Sequence, residues 1–123
     1  MGEGVAVNTR QHGGWGEQIA AAFLRLKGYE ILEANARFAR REVDLLARDG
    51  ASLVVVEVKL RRGSRFGAAA EAIDARKLSR LRLALAGFAR DAGPDVVPRI
   101  DVVTIDVDET GDRMTVEHYV GVS

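Results

Sequence analysis

Apolar residues fall along this chain in two patterns, one with the spacing of amphipathic helices and one with the spacing of β-strands. Helical spacing predicts a first helix that opens at residues 13–17 and ends before Gly28, and a long helix from about Ala68 to Asp91. The first helix is expected to bury Trp15, Ile19, Ala22, Phe23 and Leu26. Strand spacing predicts five strands, within Tyr29–Asn35, the two halves of Glu42–Arg62, Arg99–Val107 and Arg113–Val120.

The segment Glu42–Arg62 is predicted to be a hairpin, because Asp49-Gly50 readily forms a two-residue turn. Counting from this turn places Glu42 opposite Glu57 and Asp44 diagonal to it. Asp44, Glu57 and Lys59 then project from one face of the sheet. A four-residue loop would also place these three side chains on one face, but a three-residue loop would not.

Apolar residues occupy both faces of this hairpin, which is typical of central strands covered on both sides. The predicted fold is therefore a three-layer α/β/α domain with a central mixed sheet and the order αβββαββ. The long helix is expected to connect two parallel strands. Residues 1–13 show no periodicity and are predicted to be a mobile tail, which leaves 14–123 as one domain.

Two carboxylates within an apolar sheet are costly to bury unless a partner compensates their charge. A divalent cation would compensate this charge. Mg²⁺ and Mn²⁺ are suited to the role, because they prefer carboxylate oxygens as ligands and retain several bound waters. Lys59 could then orient an attacking water. The alternative is a solvated edge with surface ion pairs, because acid-x-Lys triplets are common on half-exposed strands. Asp44 and Glu57 are thus candidate metal ligands, and Lys59 is a candidate catalytic residue.

Glu17 lies in the first turn of the predicted first helix. Its carboxylate could complement the positive end of the helix, or it could be a third acid near the metal. The sequence leaves both interpretations open.

The composition excludes several kinds of functional site. Cysteine is absent, which excludes disulfides, thiolate catalysis and cysteine-based zinc sites, and the two histidines are far apart in the chain. No apolar run could span a membrane and no secretion signal is evident, so we expect a cytoplasmic protein.

The net charge is zero and therefore gives no sign of nucleic-acid binding, but the basic residues are unevenly placed. Only three of the 18 basic residues are lysines, and arginine forks match phosphate geometry. Solvated surface arginine is the competing explanation. The candidate nucleic-acid contacts are Arg37, Arg61, Arg62, Arg65 and Lys77.

Motifs spread over most of the chain resemble the YraN-like family of small bacterial proteins, whose fold is that of the restriction endonucleases. They include Gly16-Glu17, Glu42-Val43-Asp44, Val56-Glu57-Val58-Lys59 and Arg99-x-Asp101. The archaeal-type Holliday junction resolvases are a more distant resemblance. The spacing of Asp44, Glu57 and Lys59 also has the form of the Asp…Glu-x-Lys signature of such nucleases. The resemblance implies a metal site at Asp44 and Glu57, a catalytic Lys59 and an accessory Glu17.

Two functions follow as hypotheses. The first is a Mg²⁺-dependent nuclease that hydrolyses phosphodiesters in structured DNA, in repair or recombination. A junction substrate would favour a homodimer. The alternative is a non-catalytic module that binds nucleic acid or a repair or replication partner.

Overall fold

The computed structural model describes residues 14–63 and 73–123. It contains two helices and five strands in the order αβββαββ. Their bounds are α1 Trp15–Leu26, β1 Glu30–Phe38, β2 Arg41–Asp49, β3 Ser52–Arg62, α2 Ala75–Ala92, β4 Val97–Val107 and β5 Met114–Tyr119. The predicted tail at residues 1–13 and the predicted start of the long helix at Ala68 lie outside the described residues.

The five strands form one mixed sheet in the order β1-β2-β3-β4-β5. Only β3 and β4 pair in parallel, and α2 is the connection between them, as the sequence predicted. Strands β2, β3 and β4 are therefore interior. The three-layer α/β/α architecture and the mixed sheet are confirmed.

Two hydrophobic clusters cover the two faces of the sheet. On one face α1 contributes Ala20, Ala21 and Leu24. On the other, α2 contributes Leu81, Ala84 and Leu85. The helical spacing of α2 was predicted correctly, since Leu78 and Phe88 also pack against this second cluster. Neither helix in the described part of the chain is long and apolar enough to cross a membrane.

The predicted buried stripe of α1 was wrong in part. Trp15 is 71% exposed and Leu26 is 88% exposed, whereas Gly16, Ala20, Ala21 and Leu24 are the buried positions. Ile19 and Phe23 are only partly buried. The helix therefore contacts the sheet through small residues, which let the two backbones approach closely.

The hairpin turn lies one residue later than predicted. Asp49 pairs with Ser52, so Gly50 and Ala51 form the two-residue loop. Gly50 has a φ of 61°, and the first central position of a type II′ turn places glycine in this way. The pairing moves by two residues relative to the prediction, and a shift of two residues by itself does not exchange the faces of the strands.

Strand β1 extends three residues past its predicted end at Asn35. Asn35 itself has a φ of 52° within the strand, a value that asparagine tolerates better than most residues. On the neighbouring strand β2, Val43 packs in the hydrophobic cluster that α2 covers, whereas Leu45 packs in the cluster that α1 covers. The sequence predicted that Val43 and Leu45 share one face, and this local irregularity is the reason that they do not.

Candidate metal and nucleic-acid site

Asp44 and Glu57 come together on adjacent interior strands. The regular pairing of β2 with β3 ends at Leu45 and Val56, and Asp44 and Glu57 are the next residues along the two strands. The two carboxyl groups are close enough for the negative charge of Glu57 to raise the pKa of Asp44.

The carboxyl of Asp44 is held in a costly environment. Its Oδ2 accepts a hydrogen bond from the backbone N–H of Val58 at 2.7 Å. Burial, followed by the negative charge of Glu57, raises the pKa of Asp44 from 3.8 to about 7, and the Val58 hydrogen bond only partly opposes this. Asp44 therefore exchanges its proton near neutral pH, which is unusual for a carboxyl and typical of functional sites.

Glu57 is almost completely buried and contacts two lysines. Its side chain is 5% exposed, and its Oε2 lies 3.7 Å from Nζ of Lys59 and 3.2 Å from Nζ of Lys77. Lys59 comes from the same strand, whereas Lys77 reaches across from the first turn of α2. The sequence placed Lys77 on the far side of the helix among candidate phosphate contacts, and its closeness to Glu57 was not anticipated.

Glu17 fits the first of the two interpretations that the sequence left open, a carboxylate at the positive end of the helix. Its Oε1 accepts a hydrogen bond from the backbone N–H of Gly14 at 2.7 Å, which caps the start of α1. Its negative charge also contributes to the raised pKa of Asp44. The helix cap is therefore close enough to the paired acids to act on them electrostatically.

Gly16 explains how α1 reaches the site. A β-carbon at this position would lie 3.3 Å from Cγ1 of Val58 and 3.4 Å from Cβ of Leu60. Such distances are tight, so glycine allows the first turn of the helix to rest on β3. Glu17 is carried toward Asp44 by this close approach.

The donor set fits a hard divalent cation that keeps part of its water shell. Within residues 14–63 and 73–123, no three acidic or histidine side chains converge on one metal position. Two carboxylates are nevertheless sufficient for Mg²⁺, which is commonly bound by one or two carboxylates, waters and substrate phosphates. Burial and the charge of Glu57 raise the pKa of Asp44, so a cation bound there would favour the ionised carboxylate.

The arginines that were predicted to contact nucleic acid have different surroundings. Arg37 is 67% exposed and lies 3.9 Å from Glu42. Arg61 forms an ion pair with the buried Asp106 at 3.3 Å. Arg62 is exposed at the end of β3, while Arg65 lies outside the described residues.

A small notch lies between the β1–β2 turn and the start of α2. It has a volume of about 40 Å³ and is lined by Arg40, Arg41, Glu42, Lys77, Arg80 and Leu81. Because Lys77 also contacts Glu57, cationic side chains continue from the paired acids to the β1–β2 turn.

A second polar cluster was only partly anticipated. Asp101 is fully buried and accepts hydrogen bonds from Tyr29, Arg99, His118 and the backbone of Gly121. Burial alone would raise the pKa of Asp101, but the hydrogen bonds from Arg99 and His118 outweigh it and hold that pKa below its usual range. Arg99 is the arginine paired with Asp101, with its Nε 2.9 Å from Oδ1.

His118 fits the structural interpretation that the sequence favoured. Its Nε2 lies 2.8 Å from Asp101, and its Nδ1 lies 2.9 Å from Nζ of Lys27. Both ring nitrogens thus have partners, in a pattern that fits a proton on Nε2. This cluster ties the start of β4 to β1, β5 and the end of α1.

A cleft lies between α1 and β1, and it was not anticipated from the sequence. It has a volume of about 480 Å³, and Glu17, Gln18, Ala21, Arg25, Ile31 and Leu45 are among its lining residues. A cleft of this kind arises from the separation of two elements, which hydrophobic spacing does not reveal. The buried Nε2 of Gln18 has no hydrogen-bond partner in the described part of the chain.

The fold and this cluster define a small α/β/α protein with two acids and a lysine on its central strands and a second lysine on α2. The model of Uncharacterised protein family UPF0102 matches residues 16–105, and the chain belongs to this family. This confirms the YraN-like resemblance.

Curated relatives are similar in sequence to this chain over most of their length. A UPF0102 protein of Symbiobacterium thermophilum is 48% identical over 99 residues, which cover 80% of this chain and 84% of the relative. Another, from Kineococcus radiotolerans, is 45% identical over 114 residues, with 90% and 92% covered. A third, from Roseiflexus castenholzii, is 43% identical over 108 residues, with 86% and 87% covered.

Proposed function

We propose that this protein is a divalent-metal-dependent nuclease that hydrolyses phosphodiester bonds in structured DNA. One observation supports the proposal above all: Asp44 is held beside β3 by the Val58 N–H at 2.7 Å, and burial together with the charge of Glu57 raises its pKa to about 7. Two acids held together at this cost are expected where a cation or a reacting group uses them.

Asp44 and Glu57 would hold Mg²⁺ or Mn²⁺ through their carboxylate oxygens. When bound, such an ion polarises a phosphate and favours ionisation of a coordinated water. Asp44 must lose its proton to bind the cation, so metal affinity should fall as the pH drops below 7. The Val58 N–H holds one oxygen of Asp44 in place during this exchange.

Lys59 would act on the substrate rather than on the ion. Its Nζ is 3.7 Å from Glu57 and its side chain is 30% exposed, so the ammonium group lies at the boundary between the buried acids and solvent. From there it can donate hydrogen bonds to an attacking water or to a phosphate oxygen. Lys77 would neutralise Glu57 until a cation binds.

The test is a cleavage assay of the purified protein on flap, branched and single-stranded DNA with Mg²⁺ or Mn²⁺. Asp44→Asn and Glu57→Gln should reduce cleavage to background while DNA affinity changes little. Asp95→Asn and Glu109→Gln remove exposed acids in turns and are the matched controls. Full cleavage by either site variant would overturn the assignment.

A non-catalytic nucleic-acid-binding module is the second candidate. The double ion pairing of Glu57 with Lys59 and Lys77 favours it, because these lysines already neutralise one of the two acids. This function predicts binding that weakens with salt and persists in EDTA, without cleavage in either metal. Metal-dependent cleavage that requires Asp44 would exclude it.

A further inference from the structure

The notch between the β1–β2 turn and α2 is strongly basic. Its lining carries four cations and one carboxylate, which belong to Arg40, Arg41, Lys77, Arg80 and Glu42. Lys77 also belongs to the candidate metal site, because its Nζ lies 3.2 Å from Oε2 of Glu57. A group held in the notch and a group held at the paired acids would therefore share Lys77 as a neighbour.

Three of the four cations have no acidic partner. In the part of the chain that the structure describes, Arg40, Arg41 and Arg80 form no ion pair. The carboxylate of Glu42 lies 3.9 Å from Nη2 of Arg37, and this arginine offsets part of its negative charge. Like charges that are held close together repel one another, and a bound anion would relieve that repulsion.

Packing between the turn and α2 holds the two sides of the notch together. Strands β1 and β2 are joined by only two residues, since Phe38 pairs with Arg41. The ring of Phe38 meets the ring of Phe88 edge to face, with the centroids 5.8 Å apart, and this contact anchors the turn on the helix. Leu81 is buried and supplies an apolar part of the lining. Because the two elements are already packed together, little order is lost when an anion binds between them.

The size and lining of the notch suit one phosphate group. Its volume of about 40 Å³ admits about three oxygen-sized groups, since a water-sized group needs roughly 10–15 Å³. A nucleobase or a sugar is too large for this space. Guanidinium groups bind phosphate oxygens through paired hydrogen bonds, and three arginines line the notch.

We propose that the notch binds a second phosphate of the DNA strand whose scissile phosphate lies at Asp44 and Glu57. The inference rests on the proposed function and specifies how the substrate is held. The strand passes from the paired acids over Lys77 toward the β1–β2 turn. A phosphate contact of this kind fixes the position of the strand and reads no base sequence.

Salt-dependent binding of branched DNA in EDTA tests the contact without cleavage. The double variant Arg40→Gln/Arg80→Gln removes one arginine from the turn and one from α2. Its affinity should fall several-fold for unrelated sequences alike, and the slope of log affinity against log salt should become shallower by about one. Arg82→Gln/Arg113→Gln is the matched control, because it removes the same charge from exposed positions on α2 and in the β4–β5 connection. The control should retain the wild-type slope.

Glu42→Gln gives a test of opposite sign. Loss of the carboxylate from the notch should tighten DNA binding several-fold, because the incoming phosphate is no longer repelled. Glu109→Gln removes an exposed carboxylate from a turn elsewhere and should leave DNA binding unchanged. Unchanged or weaker binding by Glu42→Gln would contradict the inference.

Calorimetry with inorganic phosphate distinguishes a strand phosphate from a free anion. Binding of inorganic phosphate that Arg40→Gln/Arg80→Gln abolishes, with DNA binding at the wild-type level, would make the notch a free-anion site and overturn the inference. Equal changes of slope in the notch variant and the control variant would also overturn it, even if cleavage continues to require Asp44. Absence of any nucleic-acid binding by the wild type would overturn the proposed function as well.

Discussion

Replacing Asp44 with asparagine is expected to stabilise the folded protein at alkaline pH while removing its metal site. The carboxyl has a pKa of about 7 in the folded chain, against an ordinary value of 3.8. At about 1.4 kcal/mol for each pH unit between these values, ionised Asp44 costs the folded state up to about 4 kcal/mol. Because Asp44 is partly exposed and its neighbours can adjust, we expect a gain of about 2 kcal/mol at pH 8.

The sign of the pH dependence follows from proton binding. Between pH 3.8 and about 7 the folded chain retains a proton on Asp44 that the unfolded chain has released. Wild-type stability attributable to this group therefore falls as the pH rises through that window. Asparagine never ionises, and its carbonyl oxygen can still accept the Val58 hydrogen bond. The gain should thus be small at pH 4.5 and largest at pH 8.

Urea denaturation at pH 4.5, 6 and 8 measures this gain as a difference in the free energy of unfolding. Asp95→Asn removes an exposed acid and should show no comparable trend. Mg²⁺ at ten times its dissociation constant should stabilise the wild type at pH 8 by about 1.4 kcal/mol and the variant hardly at all. Destabilisation by Asp44→Asn at pH 8, or a gain independent of pH, would refute the reasoning.

Three further predictions concern other parts of the molecule. Asp101→Asn removes the negative charge from a buried hydrogen-bonded cluster. It should lower the free energy of unfolding, measured by urea denaturation at pH 7, by about 3 kcal/mol. The loss should shrink below pH 4, because the lowered pKa of Asp101 makes its contribution disappear in acid; equal loss at pH 3 would contradict this. Gly87→Ala should lower thermal stability by about 1 kcal/mol despite better helix propensity, because the new methyl group would overlap the ring of Phe38; a stabilised variant would contradict this contact. Lys77→Met removes a cation from Glu57 and should tighten Mg²⁺ binding several-fold by calorimetry; weaker binding would mean that Lys77 supports the site.

The fold was largely predictable because its signals are local. The hairpin, the parallel connection through α2 and the two-sided apolar strands all follow from spacing and turn chemistry. The α1 stripe was mispredicted because its contacts use small residues, and large apolar residues such as Trp15 dominate a spacing argument even when they are exposed.

The candidate site was predictable only where strand geometry fixes it. Pairing parity placed Asp44, Glu57 and Lys59 together, and this survived the error of two residues in register. The contact of Lys77 with Glu57 depends on the seating of a helix over the sheet, and the cleft beside Gln18 depends on the gap between two elements. Neither is encoded in a short sequence pattern.

The two-residue bend at Gly50 and Ala51 makes the chemistry of this domain sensitive to odd and even insertions in different ways. Lengthening the bend by two residues leaves the alternation of inward and outward side chains intact. A single inserted residue that shifted the pairing of β2 with β3 would turn Asp44 and Glu57 toward opposite helices. Length variation at this bend should therefore occur in steps of two wherever the acids are to remain together.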